Sequence, residues 1–207
     1  MTPLQRSRYI LVAGNIGSGK SALAAGIAGA LELRLYEDPF EANPFLREPH
    51  GHSDAITIRS QLWFLIAHHA HHRELADLAA GGIKDGSLFD CGEVFAPFLK
   101  PLGLIEEYDW ALYRGAYEAL RSSCTLPTIV LWLRATPEVL RARIRRRGHT
   151  FESQLTCEFL EGLESAYKEW AIRWTHSPLI EIDTTNLSLE EVLASSLFVV
   201  EEALRKS

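Results

Sequence analysis

The sequence predicts an α/β fold, a parallel sheet of about five strands covered by helices on both faces. Three observations carry that expectation. Short apolar runs alternate with longer helix-forming segments along almost all of the 207 residues. A glycine-rich turn joins the first apolar run to the first helix. No repeat, low-complexity stretch or linker interrupts the pattern, so residues 1–207 read as one domain.

Taken in order, residues 9–13 (YILVA) form a continuous apolar run, as a strand buried on both faces requires. The turn GNIGSGKS follows, and then ALAAGIAGALEL, rich in the strongest helix formers. Residues 33–36 read as a second strand, closed by the turn-forming Glu37-Asp38-Pro39. Residues 40–54 contain an Asn-Pro step and further breakers, and read as irregular. From about residue 56 to residue 80 apolar positions recur at helical spacing, and Gly81-Gly82 ends that helix. Residues 95–99 and 106–120 read as further helices. Residues 128–133 (TIVLWL) are the clearest buried strand. Thr136-Pro137-Glu138 then carries the cap, proline and acid of a helix start, and that helix runs to Arg147. A helix at 155–174, a strand at 179–182 and a helix at 188–204 complete the chain.

Composition narrows the function classes. A hydrophobic share of 47% supports a full core, and a net charge of −6 argues against a duplex nucleic-acid partner. The longest apolar runs, 129–133 and 197–200, are far too short to cross a bilayer. The opening MTPLQRSRYI lacks the apolar stretch of a signal peptide. Cys91, Cys124 and Cys157 are an odd number with no CxxC spacing, which points away from a disulfide framework. A reduced, cytoplasmic enzyme without nucleic-acid or membrane partners is expected.

Gly14-Asn15-Ile16-Gly17-Ser18-Gly19-Lys20-Ser21 matches G-x-x-x-x-G-K-[ST], the phosphate-binding loop of P-loop NTPases. Glycines let successive backbone N–H groups curl around phosphates, and the helix that follows presents its positive end. Lys20 is expected to reach the β- and γ-phosphate oxygens, and the Ser21 hydroxyl to hold Mg²⁺. The strand before and the helix after are the context this motif requires. The fold class becomes a P-loop three-layer α/β/α sandwich, and the donor ATP or another nucleoside triphosphate.

Four further segments concern the acceptor: EDPFEANPFL from Glu37, SQLWFL from Ser60, DGS from Asp85 with VFA from Val94, and RIRRRGHTFE from Arg143. With the phosphate loop ahead of them, their order and spacing resemble the deoxynucleoside kinase family over nearly the whole chain. The resemblance implies ATP-dependent phosphorylation of the 5′-hydroxyl of a nucleoside. It makes Asp38, just before a proline, the carboxylate that accepts the hydroxyl proton, with Glu37 beside it as the second candidate. Gln61 takes the position of a glutamine that pairs with the base edge, and its amide has both a donor and an acceptor for that task. Asp85 and Ser87 match the ends of an Asp/Glu-Arg-Ser motif, which places Asp85 near metal and phosphates.

Arg143 and Arg147, four apart on one helix, match a lid (about 143–152) that closes over the donor phosphates. Glu152 matches the lid acid at the sugar 3′-hydroxyl. The chain also departs from the family. Gly86 stands in place of the motif arginine, and His149 in place of a further lid arginine. His50 replaces a sugar-contacting tyrosine, and His68 an arginine that supports base reading. A base-reading aspartate falls at Asp90 or Cys91, with Asp90 preferred. Similar enzymes are homodimers packed through two long helices, and the 56–80 helix is expected to contribute.

His68, His69, His71 and His72 crowd one helix, and His68 and His72 have a spacing that zinc can use. Without a placed third ligand they read as partly exposed helix residues, with His68 alone facing the site. Two rival functions remain. One is a kinase of another small uncharged alcohol or an unusual nucleoside analogue. A phosphorylated acceptor is disfavoured, because residues 37–61 offer only Arg47 and Arg59 as cations. The other is a non-catalytic nucleotide-binding regulator, against which intact Lys20, Ser21, Asp38, Asp85 and the lid arginines argue.

Overall fold

The structure, a computed structural model, describes residues 9–46, 57–78, 80–149 and 152–206. His50 and Arg47 lie outside the described residues. Five strands, β1 (Tyr9–Gly14), β2 (Arg34–Tyr36), β3 (Gly82–Asp85), β4 (Ile129–Arg134) and β5 (Leu179–Asp183), form one sheet. Their order is β2-β3-β1-β4-β5 and every pairing is parallel. The helices are α1 (Lys20–Leu31), α2 (Ile58–Ala76), α3 (Leu88–Asp90), α4 (Ala96–Leu99), α5 (Glu107–Arg121), α6 (Pro137–Arg147), α7 (Cys157–Arg173) and α8 (Leu189–Lys206).

Strand side chains alternate between two apolar layers, as the pleat demands. Ile10, Val12, Ile83, Leu131 and Leu133 pack with α1 and α8 on one face. Tyr9, Leu11, Ala13, Val130 and Trp132 pack with α2, α5 and α7 on the other. A smaller cluster of Leu140, Ile144, Leu155 and Leu160 joins α6 to α7 and supports the lid segment. No helix among the described residues is long and apolar enough to cross a membrane.

Three elements differ from expectation. The helix expected over 56–80 ends at Ala76, and Gly82 opens β3 instead of closing the helix. Gly82 is a packing residue: a Cβ there would lie 2.7 Å from the Leu75 side chain and 3.0 Å from the Arg34 carbonyl oxygen. Four residues with a lysine among them give too weak a strand pattern to read from sequence. The helix expected to begin at residue 95 begins at Leu88 and passes through a π-turn at Cys91–Phe95. Ser87 caps it, accepting the N–H groups of Phe89 (3.1 Å) and Asp90 (3.3 Å). Thr136 sits at the N-cap of α6, but its side chain makes no capping bond there.

Candidate active site

The phosphate loop has its shape because the sheet leaves it no alternative. Gly14 has φ +143°, and a Cβ on it would lie 2.2 Å from the Leu133 carbonyl oxygen of β4. Only glycine fits a position so close to the neighbouring strand. Asn15 is fully buried. Its amide donates to the Leu160 carbonyl (2.8 Å) and to Glu164 Oε2 (3.3 Å), so α7 anchors the loop from behind. The Lys20 ammonium donates to the Asn15 carbonyl at 3.0 Å, curled over the loop where phosphates would compete for it.

A cavity of about 360 Å³ opens beside this loop. Lys20 and Ser21 of α1, Asp38 after β2, Asp85 at the end of β3, and Gly86 and Ser87 just beyond it line the cavity. The carboxyl ends of three adjacent strands therefore meet there, the usual place for a ligand in an open α/β sheet. Gln61, Phe64, Phe95, Phe159 and Tyr167 line it as well and give it a largely aromatic wall. Arg147, His149 and Glu152 border the cavity from the lid.

Both acidic candidates line the cavity, in different surroundings. Glu37 is exposed, whereas Asp38 is half-buried and faces Asp85 and Lys20. Asp38 Oδ1 accepts the Phe40 N–H at 2.9 Å, which fixes the carboxylate and leaves Oδ2 toward Gly86. Burial, and then the negative charge of Asp85, push the Asp38 carboxyl up to about 7, although Lys20 pulls the other way. Asp85 is 2% exposed, and its Oδ1 has no hydrogen-bond partner. An orphaned carboxylate oxygen in a cavity that also holds the Ser21 hydroxyl fits a hard divalent cation.

Asp90 is already committed within the protein. Ser87 Oγ donates to its Oδ2 at 2.6 Å and Tyr167 OH to its Oδ1 at 3.0 Å. Burial raises its carboxyl pKa, and those two bonds hold the rise back. Asp90 and Cys91 both line the cavity, so both candidates for base reading are brought to the site, Asp90 with each oxygen already holding one partner.

The lid arginines divide. Arg147 borders the cavity and donates to Glu152, which is itself buried. Arg143 is held elsewhere: its guanidinium donates to Thr184 Oγ1 (2.9 Å), the Thr184 carbonyl (2.6 Å) and the Ser18 carbonyl (3.4 Å). It ties α6 to the phosphate loop and to the turn after β5, and it does not line the cavity. His149 Nδ1 lies 3.4 Å from Glu41 Oε1, and its ring meets Phe40 edge-on at 5.3 Å.

The histidines are more buried than expected. His72 is 1% exposed and His68 2%, while His69 and His71 are half-buried. His72 packs edge-on against Tyr9 and Phe89, each with ring centres 5.6 Å away. The helical face these residues share turns toward the sheet, where aromatic rings cover it. Among the described residues no group of three or more His, Cys, Asp or Glu is arranged to hold a metal.

Lys84 is the residue that sequence reasoning missed. It is fully buried on β3, level with Leu11 and Tyr36, and its ammonium has no hydrogen-bond partner. Burial lowers its pKa to about 8, with Cys91, Cys124, Asp38 and Asp90 acting in the opposite direction. The only sequence signal was a lysine inside a short apolar run before Asp85. Tyr167, which braces Asp90 from α7, had no signal at all.

A family model described as deoxynucleoside kinase matches residues 10–203. A deoxyadenosine kinase of Dictyostelium discoideum is 25% identical over 198 residues, 95% of this chain and 80% of that protein. A deoxyadenosine/deoxycytidine kinase of Bacillus subtilis (strain 168) is 22% identical over 181 residues, covering 86% of this chain and 83% of that one. Among solved structures, a deoxyadenosine kinase from M. mycoides with bound dCTP superposes with a TM-score of 0.79 at 22% identity, covering 94% of this chain and 99% of that one. The match extends over the phosphate loop, the cavity and the lid, and this chain belongs to the deoxynucleoside kinase family.

Proposed function

We propose that the protein transfers the γ-phosphoryl group of ATP to the 5′-hydroxyl of a deoxynucleoside, giving the nucleoside monophosphate. One observation carries the reading: a single cavity is lined both by a phosphate loop with two carboxylates and by Gln61 with several aromatic rings. The first group suits charged phosphates, and the second suits a flat, uncharged base. Lys20 leaves the Asn15 carbonyl for the donor phosphates and neutralises charge that grows in the transition state. Asp38 Oδ2 accepts the hydroxyl proton as the oxygen attacks phosphorus, and the Phe40 N–H keeps the carboxylate aimed. Ser21 and Asp85 are the residues that would hold Mg²⁺, whose charge would offset that of the donor phosphates. Arg147 reaches the phosphates from the lid (143–152), and Glu152 turns to the sugar. Arg143 steadies the lid against Ser18 and Thr184.

The whole chain acts as one domain in this reading, in the cytoplasm, where its three free thiols stay reduced. It works as a homodimer built on α2 and α5, whose exposed Ile66, Tyr108 and Leu112 are 62, 91 and 60% accessible. Sedimentation would detect a monomer if that is wrong. The function itself is tested by screening purine and pyrimidine deoxynucleosides for acceptor-dependent ADP release. ATP turnover that no nucleoside stimulates would overturn it.

A further inference from the structure

Gly86 is the position at which this cavity is most unusual. It has φ +68°, and its N–H is held by the Val12 carbonyl at 3.0 Å, so the backbone there is fixed by the end of β1. A Cβ built on it would lie 3.4 Å from Asp38 Oδ2 and 3.6 and 3.8 Å from His68 Cε1 and Nε2. Two side chains from different elements, the loop after β2 and the middle of α2, thus converge on the one spot that a residue with a side chain would fill.

The His68 ring is held in place from several sides. Phe64 stacks on it with ring centres 6.4 Å apart, and His71 meets it edge-on at 6.1 Å. Its Nδ1 is buried without a partner, while the ring edge bearing Nε2 turns to the cavity. Burial, and then the charge of Lys84 on β3 and of His71 and His72 on α2, hold its pKa well below the usual histidine range. His68 therefore offers one neutral N–H donor and carries no cation.

We propose that His68 positions the acceptor: its Nε2–H donates to the acceptor hydroxyl oxygen across the gap left by Gly86, while that hydroxyl donates to Asp38 Oδ2. A hydroxyl oxygen has two lone pairs, so accepting from His68 leaves the second free for phosphorus. The two partners fix both the position and the rotation of the hydroxyl, which is the main requirement of this chemistry. Gly86 and His68 form a matched pair, because a side chain at 86 would stand between His68 and Asp38. This role sits at the reacting end of the acceptor rather than at its base, and it rests on the kinase reading above.

The test compares His68→Phe, which keeps the ring without its donor, with His68→Gln, whose amide can restore one. His68→Phe should lower kcat about ten- to a hundred-fold with KM changed less than about threefold, equally for purine and pyrimidine acceptors. His68→Gln should recover a substantial part of that loss. Gly86→Ala, which fills the gap, should lower kcat in the wild type yet add little to His68→Phe. A KM effect that differs between bases would make His68 a base reader and overturn the proposal. So would a fall in thermal stability with kcat per folded molecule unchanged. If the wild type phosphorylates another alcohol and no nucleoside, the nucleoside reading fails separately, and the same variants decide the role of His68 on that alcohol.

Discussion

The phosphate loop and the remaining lining of one cavity are built on different principles. The phosphate loop is one contiguous segment whose shape is dictated by the backbone, with Gly14 pressed against the Leu133 carbonyl and Asn15 bolted to α7. Its function needs N–H groups and one lysine, so a short motif specifies it. The acceptor part gathers Asp38, Gln61 and His68, Gly86 and Asp90, and Glu152 from four segments of the chain, and side chains do the recognising. Such a site can exchange residues in compensation, as we propose for Gly86 and His68. A backbone-built site tolerates little drift, and a side-chain-built site tolerates a good deal.

That contrast can be broken at its strongest point first. Lys20→Ala should reduce kcat by about a thousand-fold or more, since several kcal/mol of transition-state stabilisation are lost. The circular dichroism spectrum and melting temperature should stay close to wild type. Retention of more than about a tenth of kcat, a loss of only ~1.4 kcal/mol, would mean that the loop does not work as its shape implies.

Asp38→Asn comes next, with kcat expected to fall about 10²- to 10⁴-fold and KM to change little. Glu37→Gln should be mild, because Glu37 is exposed. The reverse pattern in steady-state kinetics would move the proton acceptor by one residue.

Gln61→Ala sharpens the acceptor side. Removing an amide that pairs with a base edge should cost about 1–3 kcal/mol, or roughly 5- to 150-fold in kcat/KM for the preferred nucleoside. Poorer substrates should lose less, so discrimination narrows. An equal loss across all nucleosides would show that Gln61 only supports α2.

The smallest effect is thermodynamic. With the Asp38 carboxyl raised to about 7 in the folded protein and near 3.8 in the unfolded chain, the native state holds its proton more tightly. Stability from this group is present at acid pH and is lost as pH rises toward and through 7. Asp38→Asn removes that loss, so its melting temperature should exceed wild type by more at pH 8 than at pH 4.5. The same shift predicts that kcat/KM of the wild type climbs with pH up to about 7 in the free enzyme. A pH-independent gap in melting temperature would show that Asp38 is ionised without cost.

Much of this molecule was legible from the chain alone. Strands 1 and 4 are continuous apolar runs, and the glycines and lysine of the loop follow from what phosphates need. The positions of Asp38, Asp85 and Gln61 followed from spacing that resembles a known family. Other features escaped because contacts between distant segments create them. Lys84 is remote in sequence from the α2 histidines, yet the parallel sheet sets it level with Tyr36 and beneath that helix. Arg143 looked equivalent to Arg147, and only the turn after β5 decided that it binds Thr184 instead. The Ser87 cap and Asp90 three residues on were a readable helix start, overlooked because the strand before them is so short.

The sequence by itself determined the fold class and the phosphate loop, since periodicity and local motifs are properties of neighbouring residues. Tertiary structure alone decided which acid is the more buried, which arginine borders the cavity, and that Asp38 and His68 converge on Gly86. Those outcomes depend on how sheet order and helix packing bring residues far apart in the chain within a few ångströms. No local pattern encodes that distance.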